Sequence, residues 1–130
     1  VRVSHGWLAL FCAAASRAYG WGPRDTVLQC APLTSDISVE EIFCAAVSGS
    51  ELVRTTAMKS GDFDRLTEDL VTTQATVADL PTAVWHLFCE DDDALHAIHR
   101  SRLRQIVIGG EAIRCATVDK WANTPAAHQI

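Results

Sequence analysis

Thr26-Val27-Leu28-Gln29-Cys30, a loop through Pro32, and then Ser35-Asp36-Ile37-Ser38-Val39-Glu40-Glu41-Ile42-Phe43 form the stretch from which the fold is read. The first five residues are short and largely apolar, as expected of a strand in a parallel sheet covered on both faces. Ser38-Val39-Glu40-Glu41 fits the Ser-x-x-Glu capping box, in which two side chains satisfy orphan backbone donors reciprocally. A helix is therefore expected from about Val39 to Val47, with Gly49 ending it.

The same alternation continues on both sides. Upstream, Ser4 is suited to cap a helix from about His5 to Tyr19, stopped by Gly20 and Gly22-Pro23. Downstream, Glu51 to Thr55 reads as a second strand, and a helix begins at Asp62 or Asp64 and reaches about Thr73. Ala75 to Ala78 is a third strand, and Pro81 suits the first turn of the next helix, which carries Trp85, Leu87 and Phe88. Glu90-Asp91-Asp92-Asp93 is a solvated loop capping a short helix from Ala94 to His99. Gln105 to Ile108 is the fourth strand, and a last helix from Ile113 to Trp121 precedes a polar end containing Pro125. Strands alternating with helices of about ten residues build a parallel α/β sheet with helices on both faces.

Composition narrows the function. With 130 residues, 48% of them hydrophobic, the chain is the size of one domain with an apolar core. A net charge of -5 argues against nucleic acid or an anionic membrane as partner, since phosphate contacts need a basic face. Cys12, Cys30, Cys44, Cys89 and Cys115 are widely spaced in apolar surroundings, which predicts buried thiols in a cytoplasmic protein and neither a zinc site nor a disulfide scaffold. The apolar run Leu8 to Ala15 is too short to span a bilayer, and no cationic signal-peptide start precedes it. The start at Val1 suggests an excised segment.

In a parallel sheet, ligands bind outside the carboxyl ends of the strands. Asp36 follows the first strand, Asp79 ends the third, and Val107, Gly109 and Gly110 close the fourth, so all five are expected on one rim. A carboxylate there can pair with an ammonium group, and two glycines remove side chains where a flat ligand approaches. Each residue also has a local explanation. Asp36 and Asp79 can cap the helices that follow them, Glu41 reads as a capping residue, and Gly109-Gly110 can be a plain turn.

The ordered segments carry a more specific signal. They are Val3-Ser4-His5, Val27-Leu28-Gln29, Asp36 to Phe43, Gly49-Ser50-Glu51-Leu52-Val53, Thr76-Val77-Ala78-Asp79-Leu80-Pro81, Leu103-Arg104-Gln105-Ile106-Val107-Ile108-Gly109-Gly110-Glu111-Ala112, and Trp121. From Val1 to about Gln129 this order resembles the amino-acid adenylation domains of nonribosomal peptide synthetases, which belong to the adenylate-forming ligases. The region resembled lies between the glycine-rich ATP loop and the Tyr-Gly-Pro-Thr-Glu motif.

The resemblance implies a flavodoxin-like three-layer fold and a part in an ATP- and Mg²⁺-dependent, aminoacyl-AMP-forming ligase of antibiotic biosynthesis. By position, Asp36 would hold the substrate α-ammonium, and Ile37, Glu40, Asp79, Val107 and Gly109 would line the side-chain pocket. Gly110, Glu111 and Ala112 would lie near the adenine of ATP. Ser35 departs from the family, which usually has an aromatic residue before the aspartate.

On this reading residues 1–130 are a single substrate-binding subdomain, without the phosphate loop or the C-terminal subdomain that carries the family's lysine. The isolated chain is then expected to be inactive, with no catalytic residue and no metal ligand of its own. Its partners would be an amino acid, the remaining adenylation subdomains and a phosphopantetheinyl carrier protein. Two carboxylates in the pocket, Glu40 and Asp79, would suit a basic amino acid.

Two other functions fit parts of the pattern. An aryl- or acyl-acid ligase of the same superfamily would leave Asp36 without an ammonium partner. A receiver-like signalling domain would use Asp79 as phosphoacceptor but needs an acidic pair where Cys30-Ala31-Pro32 stands. His96 and His99 sit three apart on a helix with nothing nearby to complete a metal site, and His5 and His86 are read as packing or capping residues. Trp7, Trp21, Trp85 and Trp121 are expected in the core and in helix packing.

Overall fold

Ser4 accepts a hydrogen bond from the Trp7 backbone N–H at 3.3 Å and so starts the first helix where expected. The computed structural model describes residues 2–128. In chain order the elements are α1 (His5–Tyr19), β1 (Thr26–Gln29), α2 (Asp36–Ser48), β2 (Glu51–Arg54), α3 (Ala57–Ser60), α4 (Phe63–Thr72) and β3 (Val77–Pro81). There follow α5 (Thr82–Glu90), α6 (Asp92–Arg100), β4 (Gln105–Gly109), α7 (Cys115–Ala122) and a 3-10 turn over Pro125–His128. No helix among the described residues is long and apolar enough to cross a membrane.

The four strands form one parallel sheet in the order β2-β1-β3-β4, the α/β sheet expected from the alternation and the flavodoxin-like fold that the resemblance implied. Alternation along each strand divides the core in two. Val27 and Val77 face α1 and α2, where they pack with Cys12, Ala15, Trp21, Cys44 and Ala45. Leu28, Ala78 and Leu80 face the other layer, packing with Leu66, Leu70, Phe88, Ile98 and Leu103. Because β1 lies between β2 and β3, the chain reverses its direction of travel across the sheet between β1 and β3. The crevice at their carboxyl ends is where such folds place ligands.

Several expectations are corrected. Helix α2 begins at Asp36, with Ser35 as its cap, and Ser38 lies inside it, donating to the Ser35 carbonyl at 2.7 Å. Glu41 is therefore not a capping residue. Strand β3 extends to Pro81, so Asp79 is neither the strand's end nor a helix cap but stands inside the strand, opposite Val107. Pro81 precedes α5 instead of occupying its first turn, and α7 starts two residues later than expected.

Trp7 is 68% exposed on the outer face of α1, unlike Trp21 and Trp85, which are buried. Cys115 is exposed at the start of α7, while the other four cysteines are buried and free. Asp91 caps α6 through the backbone N–H groups of Asp93 and Ala94, which bears out the capping part of the acidic loop. His86 is buried and accepts from the Arg114 backbone N–H at 3.4 Å.

The amino-terminal edge of the sheet is held by a polar cluster that no sequence motif announced. Asp25 is buried and accepts from both Nε and Nη2 of Arg104 at 2.7 Å, from Thr76 Oγ1 at 2.9 Å and from the Gly22 N–H at 2.9 Å. These bonds tie together the residues immediately before β1, β3 and β4. The Arg104 guanidinium holds the Asp25 carboxyl down at about 2, with the Gly22 and Thr76 donors adding to the effect against burial.

Candidate functional site

Glu41 fixes the loop that carries the site. Its buried carboxylate accepts from the Cys30 N–H at 2.8 Å, from the Ala31 N–H at 3.1 Å and from Gln29 Nε2 at 2.9 Å. Burial raises its pKa, and these three donors oppose the rise. The carboxyl end of β1 is thus tied to the second turn of α2, and Asp36, at the helix start, is held beside the sheet edge.

There the described residues enclose a cavity of about 460 Å³. Helix α2 contributes Asp36, Ile37 and Glu40, β3 contributes Asp79, and β4 with its turn contributes Val107, Ile108, Gly109 and Gly110. All six residues expected at a substrate pocket therefore line one cavity. Of the three expected near a nucleotide, Gly110 lines it, while Glu111 and Ala112 are exposed beyond its rim.

Phe11 and Tyr19 of α1 and Ile108 also line the cavity, and the sequence reading missed them. The two aromatic residues recur with Ala15 at i, i+4 and i+8, a single stripe on the helix, so the periodicity that could have found them was present.

Strand alternation explains the floor. Asp79 lies two residues beyond Val77 and points to the same face, toward α1 and α2, where Val107 is its neighbour on β4. The glycine turn is held by Thr82, fully buried, whose Oγ1 donates to the Gly109 carbonyl at 3.0 Å and to the Glu111 carbonyl at 3.3 Å. Gly110 has φ +98, a conformation that other residues adopt only with strain, and a Cβ built at Gly109 would meet nothing within 4 Å. The turn is more than a plain loop end: it opens the backbone toward the cavity.

The charge of the site is one-sided. Three carboxylates line it, and none of the described lining residues is cationic. Asp79 is 5% exposed and accepts no hydrogen bond from a described residue. Burial pushes its pKa up to about 7, and the nearby Glu40 and Glu41 carboxylates add to the rise. One Glu40 oxygen, Oε1, is buried without a hydrogen-bond partner among the described residues. Asp36 is exposed, and its Oδ1 accepts from the Ile37 N–H at 3.0 Å. The arrangement is suited to receive a ligand bearing positive charge.

A slightly larger cavity, about 510 Å³, lies along the outer edge of β4 between Trp85, Ile106, Val118 and Trp121. It gathers no carboxylates and lies on the edge strand, away from the crevice between β1 and β3, so the smaller cavity is the better site.

The AMP-binding enzyme family matches residues 1–129. The isonitrile lipopeptide synthase of Mycobacterium tuberculosis (strain ATCC 25618 / H37Rv) is 67% identical over 130 residues, which is all of this chain and 5% of that synthase. That of Mycobacterium marinum (strain ATCC BAA-535 / M) is 69% identical over 130 residues, again all of this chain and 9% of the relative. The chain thus spans less than a tenth of these curated relatives.

Among solved structures, IdnL1 superimposes with a TM-score of 0.75 at 23% identity, over 92% of this chain and 25% of that one. The N-terminal subdomain of NpsA from Klebsiella oxytoca, in complex with 3-hydroxybenzoyl-AMSN, gives a TM-score of 0.67 at 20% identity, over 85% of this chain and 27% of that one. At these identities the structures establish the shared fold. The family match removes the receiver-like alternative.

Proposed function

The chain belongs to the AMP-binding enzyme family, and from that premise we propose that it supplies the amino-acid pocket of an adenylation domain in a nonribosomal peptide synthetase. Residues 1–130 would be one substrate-binding subdomain of that domain. Asp36 would pair with the substrate α-ammonium at the mouth of the cavity. Ile37, Glu40, Asp79, Val107 and Gly109 would surround the side chain, and Gly110, Glu111 and Ala112 would border the nucleotide. In the parent, a substrate carboxylate oxygen attacks the α-phosphorus of ATP, the bond to pyrophosphate breaks, and aminoacyl-AMP results.

Positioning is what this chain contributes. The glycine turn sets a bare backbone beside the cavity, and the Glu41 network holds Asp36 in place, so the reacting carboxylate is oriented by the group at its other end. Mg²⁺ would arrive with the ATP phosphates, and no residue of this chain is assigned to it. A carrier protein and the remaining subdomains would complete the reaction sequence, and the isolated chain would not form an adenylate.

The observation that carries the substrate class is the cavity of about 460 Å³ lined by Asp36, Glu40 and Asp79 and by no cation among the described residues. An α-ammonium accounts for one carboxylate. Two remain, Asp79 buried and Glu40 half-buried with one oxygen buried and unpartnered, and buried carboxylates are costly unless paired. A basic amino acid such as lysine, ornithine or arginine supplies the missing partner. An aryl or acyl acid would leave all three unpaired.

Amino-acid-dependent exchange of pyrophosphate into ATP by the intact parent tests this reading. Activity is expected with basic amino acids, and a preference for neutral aliphatic or aromatic ones would overturn it. Asp79→Ala should weaken the basic substrate selectively.

A further inference from the structure

Tyr19 occupies a place that neither the motif order nor the cationic-pocket reading uses. Its ring leans on Trp21 with centroids 5.3 Å apart, and buried Trp21 donates through Nε1 to Gln105 Oε1 at 2.8 Å. The phenol at the end of α1 is therefore braced against the start of β4. Among the described residues lining the cavity, Tyr19 carries the sole side-chain hydrogen-bond donor other than a protonated carboxyl. Burial and then the Glu40 carboxylate, with Asp79 and Cys44 behind it, raise its pKa, so it stays a neutral donor. A hydrogen bond between its hydroxyl and the Glu40 side chain contributes to that rise, and the buried Oε1 of Glu40 is left without a partner among the described residues.

The phenol is thus placed beside a carboxylate that still has an orphan acceptor atom. We propose that Tyr19 is a positioning residue for substrate choice: in the substrate complex its hydroxyl donates to Glu40 and fixes that carboxylate across from Asp79, so that the two carboxylates grip one compact ammonium group. The inference rests on the cationic-substrate reading above and adds to it the group that sets the carboxylate's direction. A hydrogen bond to a charged group is stronger than one between neutral groups, so losing the hydroxyl should weaken the grip measurably.

Pyrophosphate exchange by the intact parent is measured with L-lysine and with L-norleucine, which keeps the hydrocarbon chain and lacks the ammonium. Tyr19→Phe retains the ring against Trp21 and should melt close to wild type. It is expected to raise KM for lysine about tenfold while kcat changes less than about twofold and norleucine is unaffected. In a Glu40→Ala background the same substitution should have no further effect, because Tyr19 acts through Glu40.

Equal losses for both substrates, or an unchanged lysine-to-norleucine ratio, would overturn the role of Tyr19 while leaving the cationic pocket standing. A wild-type parent with no preference for lysine over norleucine would overturn both.

Discussion

Glu41 accepts from the Cys30 backbone N–H at 2.8 Å, joining the second turn of α2 to the residue just beyond the end of β1. Replacing it by alanine would strand the Cys30 and Ala31 donors in a buried place, at roughly 1 to 3 kcal/mol for each unsatisfied group. Glu41→Ala is expected to cost about 3 kcal/mol in urea unfolding. Glu41→Gln, which keeps an acceptor oxygen, should cost about 1 kcal/mol. Equal losses for the two variants would contradict the donor accounting.

Asp79 should make the substrate-free protein less stable as the pH rises. Its carboxyl is raised from the usual 3.8 to about 7, so between these values the folded state holds a proton that the unfolded state has released. Stability therefore falls across that window and is level above it. Asp79→Asn removes the titration and should raise stability above neutral pH by up to about 4 kcal/mol, with little effect in acid. Thermal melting of both proteins across the window checks it, and parallel curves would count against a buried, unpaired Asp79.

Asp25 predicts the opposite slope at the other edge of the sheet. Its carboxyl is held down from 3.8 to about 2, so the stabilisation is fully present above the usual value and disappears as the pH falls through about 2. The Arg104 side chain is 41% exposed, and screening reduces what the ion pair contributes to about 1 kcal/mol. The two neutral donors add to that, so Asp25→Ala should cost about 2 kcal/mol at neutral pH. Wild type and variant should converge in strong acid; a difference that persists there would show packing, not ionisation, to be the cause.

Asp36→Ala is expected to leave the fold intact, since the carboxylate is exposed and Ser35 caps the helix. In the parent it should reduce pyrophosphate exchange about a hundredfold, because the α-ammonium loses its charge-assisted partner. Exchange near the wild-type level would mean that Asp36 serves the helix alone.

Gly110→Ala tests the turn. Its φ of +98 penalises a side chain although nothing within 4 Å would obstruct one, so a loss of about 1 to 2 kcal/mol is expected from backbone strain alone. A stability unchanged by the substitution would show that the turn relaxes freely.

The sequence by itself determined the layers and their order, because the signals are local. Ser4 and Gly20 bound α1 through the backbone groups at its ends, and Gly49 closes α2 in a left-handed conformation at φ +74. Apolar strand stretches near Thr26, Glu51, Thr76 and Gln105 each followed or preceded a helical pattern, which is enough to specify a parallel sheet. The rim residues Asp36, Asp79 and Gly109 were legible for the same reason, since the carboxyl ends of parallel strands share one edge.

Tertiary structure decided what each polar side chain does, because a hydrogen bond is chosen among partners that sequence spacing does not rank. Ser38 and Glu41 have the spacing of a capping box, yet donors eleven and ten residues before Glu41 claimed the carboxylate. Asp25 finds Arg104 across 79 positions, and Tyr19 enters the cavity only because α1 packs against α2 over the sheet. Asp79 could be read as a strand end until the register with Val107 placed it inside β3, where burial gives its charge a meaning that the sequence does not carry.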